Sequence, residues 1–257
     1  MNINKALIHT GSSFQLQYND YFLSSAFQTI YNLNTTTPFG YELLLRCENA
    51  SGDTISPNAF FDQPTLSSIN KIHMDLAVTT LHVINYRAFK DNLHGKVFLN
   101  MAPNTLGYLG VHKRIWPVMI RCIKKHSISQ SSYSNANVVV EIVENETSCP
   151  TALMQKIKFL KNHNFNVAID DFGSRHSTEN RLKIIQPEIV KIDIGLLQQY
   201  REGNSLPLIE AVHLIKGNDQ KIVLEGIESP GDLEIARHLD IDFVQGFYLD
   251  MPTLIPQ

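Results

Sequence analysis

Eight short apolar runs, spread along the chain and separated by segments of helical period, constrain the fold more than any other feature. The runs are AFQTIYNLN, FGYELLLR, KVFLNM, NVVVEIVE, NVAIDDFG, EIVKIDIG, KIVLEGIE and DFVQGFYL. They are rich in Val, Ile and Phe and mostly apolar on both faces, which marks parallel strands covered on both sides. Between them, Ile69, Ile72, Leu76, Thr79 and Val83 recur at three- and four-residue steps in SSINKIHMDLAVTTLHVINYRAF. RIWPVMIRCIKKH follows the third run, with Pro117 near its start or kinking it. TALMQKIKFLKNHN sets Leu153, Ile157 and Leu160 on one stripe after the fourth run. TENRLKII, LPLIEAVHLIKGN and PGDLEIARHLD follow the fifth, sixth and seventh, and Pro230 beside Gly231 opens a helix. Strand and helix alternating around eight strands predict an α/β fold, the (β/α)8 TIM barrel. One joint departs from it. Only a short polar turn separates the first two runs, whereas a parallel crossover needs about a dozen residues. The expectation is a modified TIM barrel with one antiparallel strand.

The 257 residues suit one large domain or two small ones. The first 24 residues read as an N-terminal appendage and 25–257 as the domain. A net charge of −3 provides no basic footprint for duplex nucleic acid. Three scattered cysteines without CxxC spacing argue against a disulfide scaffold and for a reducing compartment. The opening MNINKALIHTGSSF lacks the long apolar core of a signal peptide, and no apolar stretch is long enough to span a bilayer. The reading is a soluble cytoplasmic protein without a membrane partner. SISQSSYSNAN (127–137) reads as a surface loop.

Polar residues sit in or at the end of these apolar strands. The second carries Glu42 and Arg46, and the third ends at Asn100. The fourth carries Glu141 and Glu144, and the fifth ends in Asp170 and Asp171. The sixth has Lys191 and Asp193, the seventh Glu225 and Glu228, and the eighth Gln245. Strand C-termini of a barrel converge on one mouth, where active sites are built. A single acid there is most often a cap or turn residue, but a repeated pattern is hard to reach independently. Glu42, Glu141, Asp170, Asp171 and Glu225 in one mouth would repel one another without cations. Carboxylates and the Asn100 amide oxygen suit hard ions, Mg²⁺, Mn²⁺ or Ca²⁺; the set offers no Cys or His for zinc. Several carboxylates, one bridging, could hold two ions roughly 3.5–4 Å apart. Lys191 reads either as a structural partner of one acid or as the group that orients or deprotonates an attacking water. Arg46 suggests a phosphate clamp. Together they suggest phosphoryl chemistry.

In order along the chain, YELLLR, FLNMAP, VVEIVENE, AIDDFGS, EIVKIDIGLL, VLEGIES and VQGFYLDMP resemble the motifs of EAL-domain cyclic di-GMP phosphodiesterases. The likeness runs from about Phe27 to Pro252, nearly the whole chain. It implies a modified TIM barrel and hydrolysis of cyclic di-GMP to linear pGpG with two divalent cations, Mg²⁺ or Mn²⁺, Ca²⁺ being inhibitory. It implies metal ligands at Glu42, Asn100, Glu141, Asp170 and Asp171, and catalytic roles for Lys191, Glu42 and Glu225. It places substrate contacts at Arg46, Gln28, Leu44, Glu228 and Gln245. Glu144 would support the loop after the paired aspartates, and a homodimer is the family's assembly. The chain departs from the family pattern in places. Leu43 stands where the signature has alanine, Thr29 replaces a proline, and Ala102 replaces a common serine. After DDFG the family has threonine, glycine and tyrosine where this chain has Ser174, Arg175 and His176, which touches efficiency and dimer coupling but not ligand identity. With every ligand position kept, hydrolysis leads. A catalytically silent cyclic di-GMP receptor and a protein-binding regulator are the rivals.

Overall fold

The eight runs form eight strands of a closed barrel in a computed structural model. The structure describes residues 6–89, 93, 95–112, 114, 115, 117, 137–143, 150–174 and 179–254. In chain order the elements are β1 (Leu7–Thr10), β2 (Ser13–Tyr18), β3 (Tyr21–Asn32), β4 (Pro38–Asn49), β5 (Thr54–Ile55), α1 (Pro57–Phe61), α2 (Ser68–Phe89), β6 (Lys96–Met101), α3 (Pro103–Val111), β7 (Val138–Ile142) and α4 (Pro150–Asn162). Then come β8 (Asn166–Phe172), α5 (Glu179–Ile185), β9 (Ile189–Ile192), α6 (Ile194–Arg201), α7 (Leu206–Lys216), β10 (Lys221–Leu224), α8 (Pro230–His238) and β11 (Phe243–Val244). The barrel runs β3-β4-β6-β7-β8-β9-β10-β11 and closes back on β3. β3 is antiparallel to both neighbours and every other barrel pair is parallel. The short joint read from the sequence is the cause. The Asn32 side chain accepts from the backbone of Asn34 and Thr35, and Thr36 takes a left-handed φ of 54°, so the chain reverses at once.

Three features lie outside the sequence reading. Residues before β3 add β1 and β2 as an antiparallel meander on β3. There Phe14 exchanges two backbone hydrogen bonds with the Asn85 side chain of α2, at 2.7 and 2.9 Å, and Leu16 is fully buried. With β2 on its outer side, the second half of α2 is buried all round. The helix after β6 is α3, whose two glycines, Gly107 and Gly110, mask it in the sequence. RIWPVMIRCIKKH lies largely outside the described residues. Lastly, Asp193 ends β9 by capping α6, its carboxylate accepting from Gly195 N–H at 2.9 Å. Among the described residues no helix is long and apolar enough to cross a membrane.

Inside the barrel, Ile30, Phe98, Val139, Ala168, Ile189, Val223 and Phe243 form a separate apolar cluster, with Phe39 against it. Gly40 leaves room for it: a Cβ there would lie 2.8 Å from the Phe98 ring and 2.6 Å from the Lys96 carbonyl oxygen. This plug closes the barrel below the mouth.

Candidate active site

Side chains alternate along a strand, so the next inward position lies two residues on. Two steps beyond the plug come Glu42 after Gly40, Asn100 after Phe98, Glu141 after Val139, Asp170 after Ala168, Lys191 after Ile189, Glu225 after Val223 and Gln245 after Phe243. On antiparallel β3 the count runs backwards, from Ile30 to Gln28. Eight strands thus contribute one polar side chain each to a single layer on top of the plug. That layer contains most of the residues singled out from the sequence.

Lys191 sits at its centre. Its Nζ lies 3.0 Å from Glu42 Oε2, 3.2 Å from Glu141 Oε1, 3.0 Å from Asp170 Oδ1 and 2.7 Å from Glu225 Oε1, and the side chain is 1% exposed. Asn100 Nδ2 donates to Glu42 Oε1 at 2.8 Å, and Gln245 Nε2 donates to Glu42 Oε2 at 2.8 Å and to Gln28 Oε1 at 3.2 Å. Asp250 anchors the β3 side: its carboxylate accepts from Thr29 Oγ1 at 2.6 Å, and its carbonyl accepts from Gln28 Nε2.

One ammonium does not balance four carboxylates. Burial pushes the Glu141 carboxyl well up and the Asp170 carboxyl up, with Lys191 opposing both. Burial likewise takes Glu225 to about 8. Burial would also raise Glu42, but Lys191 and the hydrogen bonds from Gln245 and Asn100 hold it below its usual value. Burial works against charge on Lys191, yet Asp170 and the other acids push its pKa well above the usual lysine value.

The paired aspartates answer a strand-geometry problem. Adjacent residues of a regular strand point to opposite faces, so Asp170 and Asp171 should part company. The register of β8 on β9 shifts between Ile169 and Phe172, and Asp171 takes φ 53°. This bulge turns the second acid back. Ligand oxygens of Asp170, Asp171 and Glu225 all come within 4.8 Å of one another, as do those of Glu42, Glu141 and Asp170. Asp170 belongs to both groups. Both oxygens of Glu141, Asp170 Oδ1 and Asn100 Oδ1 are buried and receive no aligned hydrogen bond among the described residues, the Lys191 contacts to Glu141 and Asp170 being ion pairs. Glu141 Oε2 and Asn100 Oδ1, which have neither hydrogen bond nor ion pair among the described residues, cost about 1–3 kcal/mol each. All-oxygen donors with excess negative charge and unfilled acceptors fit divalent cations.

The layer opens into a cleft of 1220 Å³. Glu42, Leu44, Asn100, Asp170 and Asp171 line it, together with Phe61, Asp75, His82, Tyr108 and His112. Glu42, Leu44 and Arg46 step outward along one face of β4. Arg46 is half-buried and donates from Nη1 to its neighbour's carbonyl, Leu45 O, at 3.1 Å. Glu228 stands apart, its carboxylate paired with Arg201 at 2.9 Å. Glu144 and residues 175–178 of the altered loop lie outside the described residues.

Besides Asp250, two contributors are absent from the sequence reading. Asp75, on α2, accepts from Ala102 N–H at 3.1 Å and holds the chain just past Asn100; burial raises its carboxyl to about 6. A lone acid among the apolar positions of that helix was its signal. His82, buried against Ser25 at 2.7 Å, is lowered to about 3 by burial. Nothing in its sequence neighbourhood distinguishes it.

A family model described as the EAL domain matches residues 17–252. The chain is 27% identical over 220 residues to the Escherichia coli protein named "Probable cyclic di-GMP phosphodiesterase PdeA", covering 83% of this chain and 28% of that one. The chain therefore spans under a third of that relative's length. Among solved structures, a standalone versatile EAL protein from Vibrio cholerae, bound to c-di-GMP, superposes with TM-score 0.74 at 23% identity over 92% of this chain and 94% of that one. Klebsiella pneumoniae BlrP1, in a manganese and c-di-GMP complex, gives TM-score 0.74 at 19% identity over 90% of this chain and 56% of that one. At these identities the two structures establish the shared barrel fold. With the family match covering almost the whole chain, this protein belongs to the EAL domain family.

Proposed function

We propose that the chain is a metal-dependent phosphodiesterase that hydrolyses one phosphodiester of cyclic di-GMP to give linear pGpG, acting in the cytoplasm. One observation carries the reading: the single layer in which Glu42, Asn100, Glu141, Asp170, Lys191 and Glu225 meet, with Asp171 turned in beside them. The names and bound ligands of the relatives and neighbours support it.

Glu42, Asn100, Glu141, Asp170, Asp171 and Glu225 would hold two divalent cations, Mg²⁺ or Mn²⁺. When bound, such ions supply Lewis acidity and a water of lowered pKa. Lys191, kept protonated by its carboxylates, donates a hydrogen bond that orients the attacking water rather than removing its proton. Arg46, two steps out from Leu44, takes a substrate phosphate through its guanidinium. Gln28 and Gln245, joined to each other and to Glu42, fix that carboxylate and contact the substrate with Leu44. Glu228, its carboxylate held by Arg201, contacts substrate from the rim. Every proposed ligand and substrate contact falls within 25–257, and the segment before it, packed on the barrel through β2, adds none. The family's homodimer is the assembly we assign, the altered loop weakening it.

The test incubates the purified protein with cyclic di-GMP and Mg²⁺ or Mn²⁺ and resolves products by chromatography, with Glu42→Ala as control. Metal-dependent pGpG that vanishes in the control is expected. Intact cyclic di-GMP held without product would instead establish the receptor.

A further inference from the structure

α6 begins just after β9, the strand that carries Lys191, and ends at Arg201. The Arg201 side chain is 28% exposed and makes four aligned hydrogen bonds to the turn that follows Glu225 and the start of α8. Its Nε and Nη2 grip both oxygens of Asp232, at 2.7 and 2.8 Å. Its Nη1 donates to Glu228 Oε2 at 2.9 Å, and Nη2 also donates to the Gly226 carbonyl at 2.8 Å. Asp232 passes the grip on. Its Oδ2 accepts from Glu228 N–H and Ser229 N–H, at 2.9 and 2.8 Å, in the capping box that opens α8.

The other end of α6 closes on the same turn. Gly226 takes φ +73°, and a Cβ there would lie 2.2 Å from Ile194 Cγ1, in the first turn of the helix. The carboxylate of Glu225 meanwhile meets Lys191 at 2.7 Å. One β9–α6 unit therefore holds Glu225 twice: directly by its side chain from β9, and through the next peptide carbonyl from the end of α6.

We infer that Arg201 is a positioning residue for Glu225, setting the Gly226–Glu228 turn so that the Glu225 carboxylate stays within ligand reach of Asp170 and Asp171. The inference rests on the metal-binding reading above. It also gives Glu228 a second role beside the rim contact: the second glutamate of LEGIE serves the clamp as an Arg201 partner. A guanidinium is required because three separate acceptors must be met in one plane, which an ammonium cannot do. Partners that orient a ligand typically change metal affinity 10- to 100-fold when removed.

The experiment titrates Mn²⁺ alone into the full chain, reading free Mn²⁺ by electron paramagnetic resonance, for the native sequence, Arg201→Ala, Arg201→Lys and Glu225→Ala. A urea transition on each variant checks that it is folded at the titration temperature. Arg201→Ala is expected to bind Mn²⁺ about 10- to 100-fold more weakly, with Arg201→Lys in between. In the turnover assay the kcat of Arg201→Ala falls about tenfold or more, with a smaller change in KM for cyclic di-GMP. Amide exchange at Glu228 and Ser229 rises at least tenfold in Arg201→Ala, a readout independent of metal. If Glu225→Ala loses Mn²⁺ while Arg201→Ala binds within twofold of the native chain, the inference is overturned and the metal reading survives. If the native chain itself takes up no Mn²⁺, both are overturned.

Discussion

Replacing Lys191 with methionine tests the charged layer on which the site depends. Methionine has similar volume and no charge, so the four carboxylates at 2.7–3.2 Å lose their shared partner. Removing one member of a buried ion pair costs about 3–5 kcal/mol, a large part of a typical folding stability of about 5–15 kcal/mol. The pH dependence follows from linkage. Glu141, Asp170 and Glu225 are already raised by burial, and Glu225 reaches about 8 with Lys191 in place. Without the ammonium they rise further. An acid with a folded pKa above its unfolded one makes the fold bind more protons than the unfolded chain, so stability falls as pH climbs from the unfolded to the folded value. Near pH 5 the penalty is at its smallest, because acids raised by burial take up charge only at higher pH. It grows as pH climbs toward the raised values, so it is larger at pH 8.5. Urea denaturation in EDTA at both pH values measures this. We expect Lys191→Met to lie within about 1–2 kcal/mol of the native chain at pH 5 and about 3–5 kcal/mol below it at pH 8.5. A gap that stays constant, or one that widens toward acid, refutes the charge assignment.

Asp75→Asn removes a carboxyl raised from 3.8 to about 6 while keeping an acceptor for Ala102 N–H. At about 1.4 kcal/mol per pH unit, the native chain gives up about 3 kcal/mol between those values. The variant should therefore gain on it by up to that amount at pH 8 and lose the advantage below pH 4, followed by thermal unfolding. Leu16→Ala empties a fully buried position between β2 and α2 and should cost about 2–5 kcal/mol in urea denaturation; a loss under 1 kcal/mol would show that the β1–β2 meander is not part of the folded unit. Mn²⁺ at about 100 times its dissociation constant should stabilise the native chain by about 2.7 kcal/mol relative to EDTA, read as a shift in the urea midpoint at pH 7.5. No shift would count against cation binding in the mouth.

Much of the architecture and most of the site could be read from local pattern, for a definite reason. Strand periodicity is two, so a polar residue two places beyond an apolar one lies on the same inward face, and Glu42, Glu141, Asp170, Lys191 and Glu225 reveal themselves strand by strand. The short joint before FGYELLLR likewise left no room for a crossover and settled the sense of β3. Other features depend on contacts between distant parts of the chain. Alternation alone would have separated Asp170 from Asp171; a register shift against β9, paired only after closure, turns the second acid inward. Asp75 reads as one polar residue in an amphipathic helix until α2 packs beside the Ala102 amide. Arg201 and Asp232 lie 31 residues apart in ordinary helical sequence, and nothing local marks them as partners. Sequence by itself determined which residues face inward, because that is a property of each strand. Tertiary structure decided how charge is shared among them and what holds each in place, because those energies exist only once the barrel has closed.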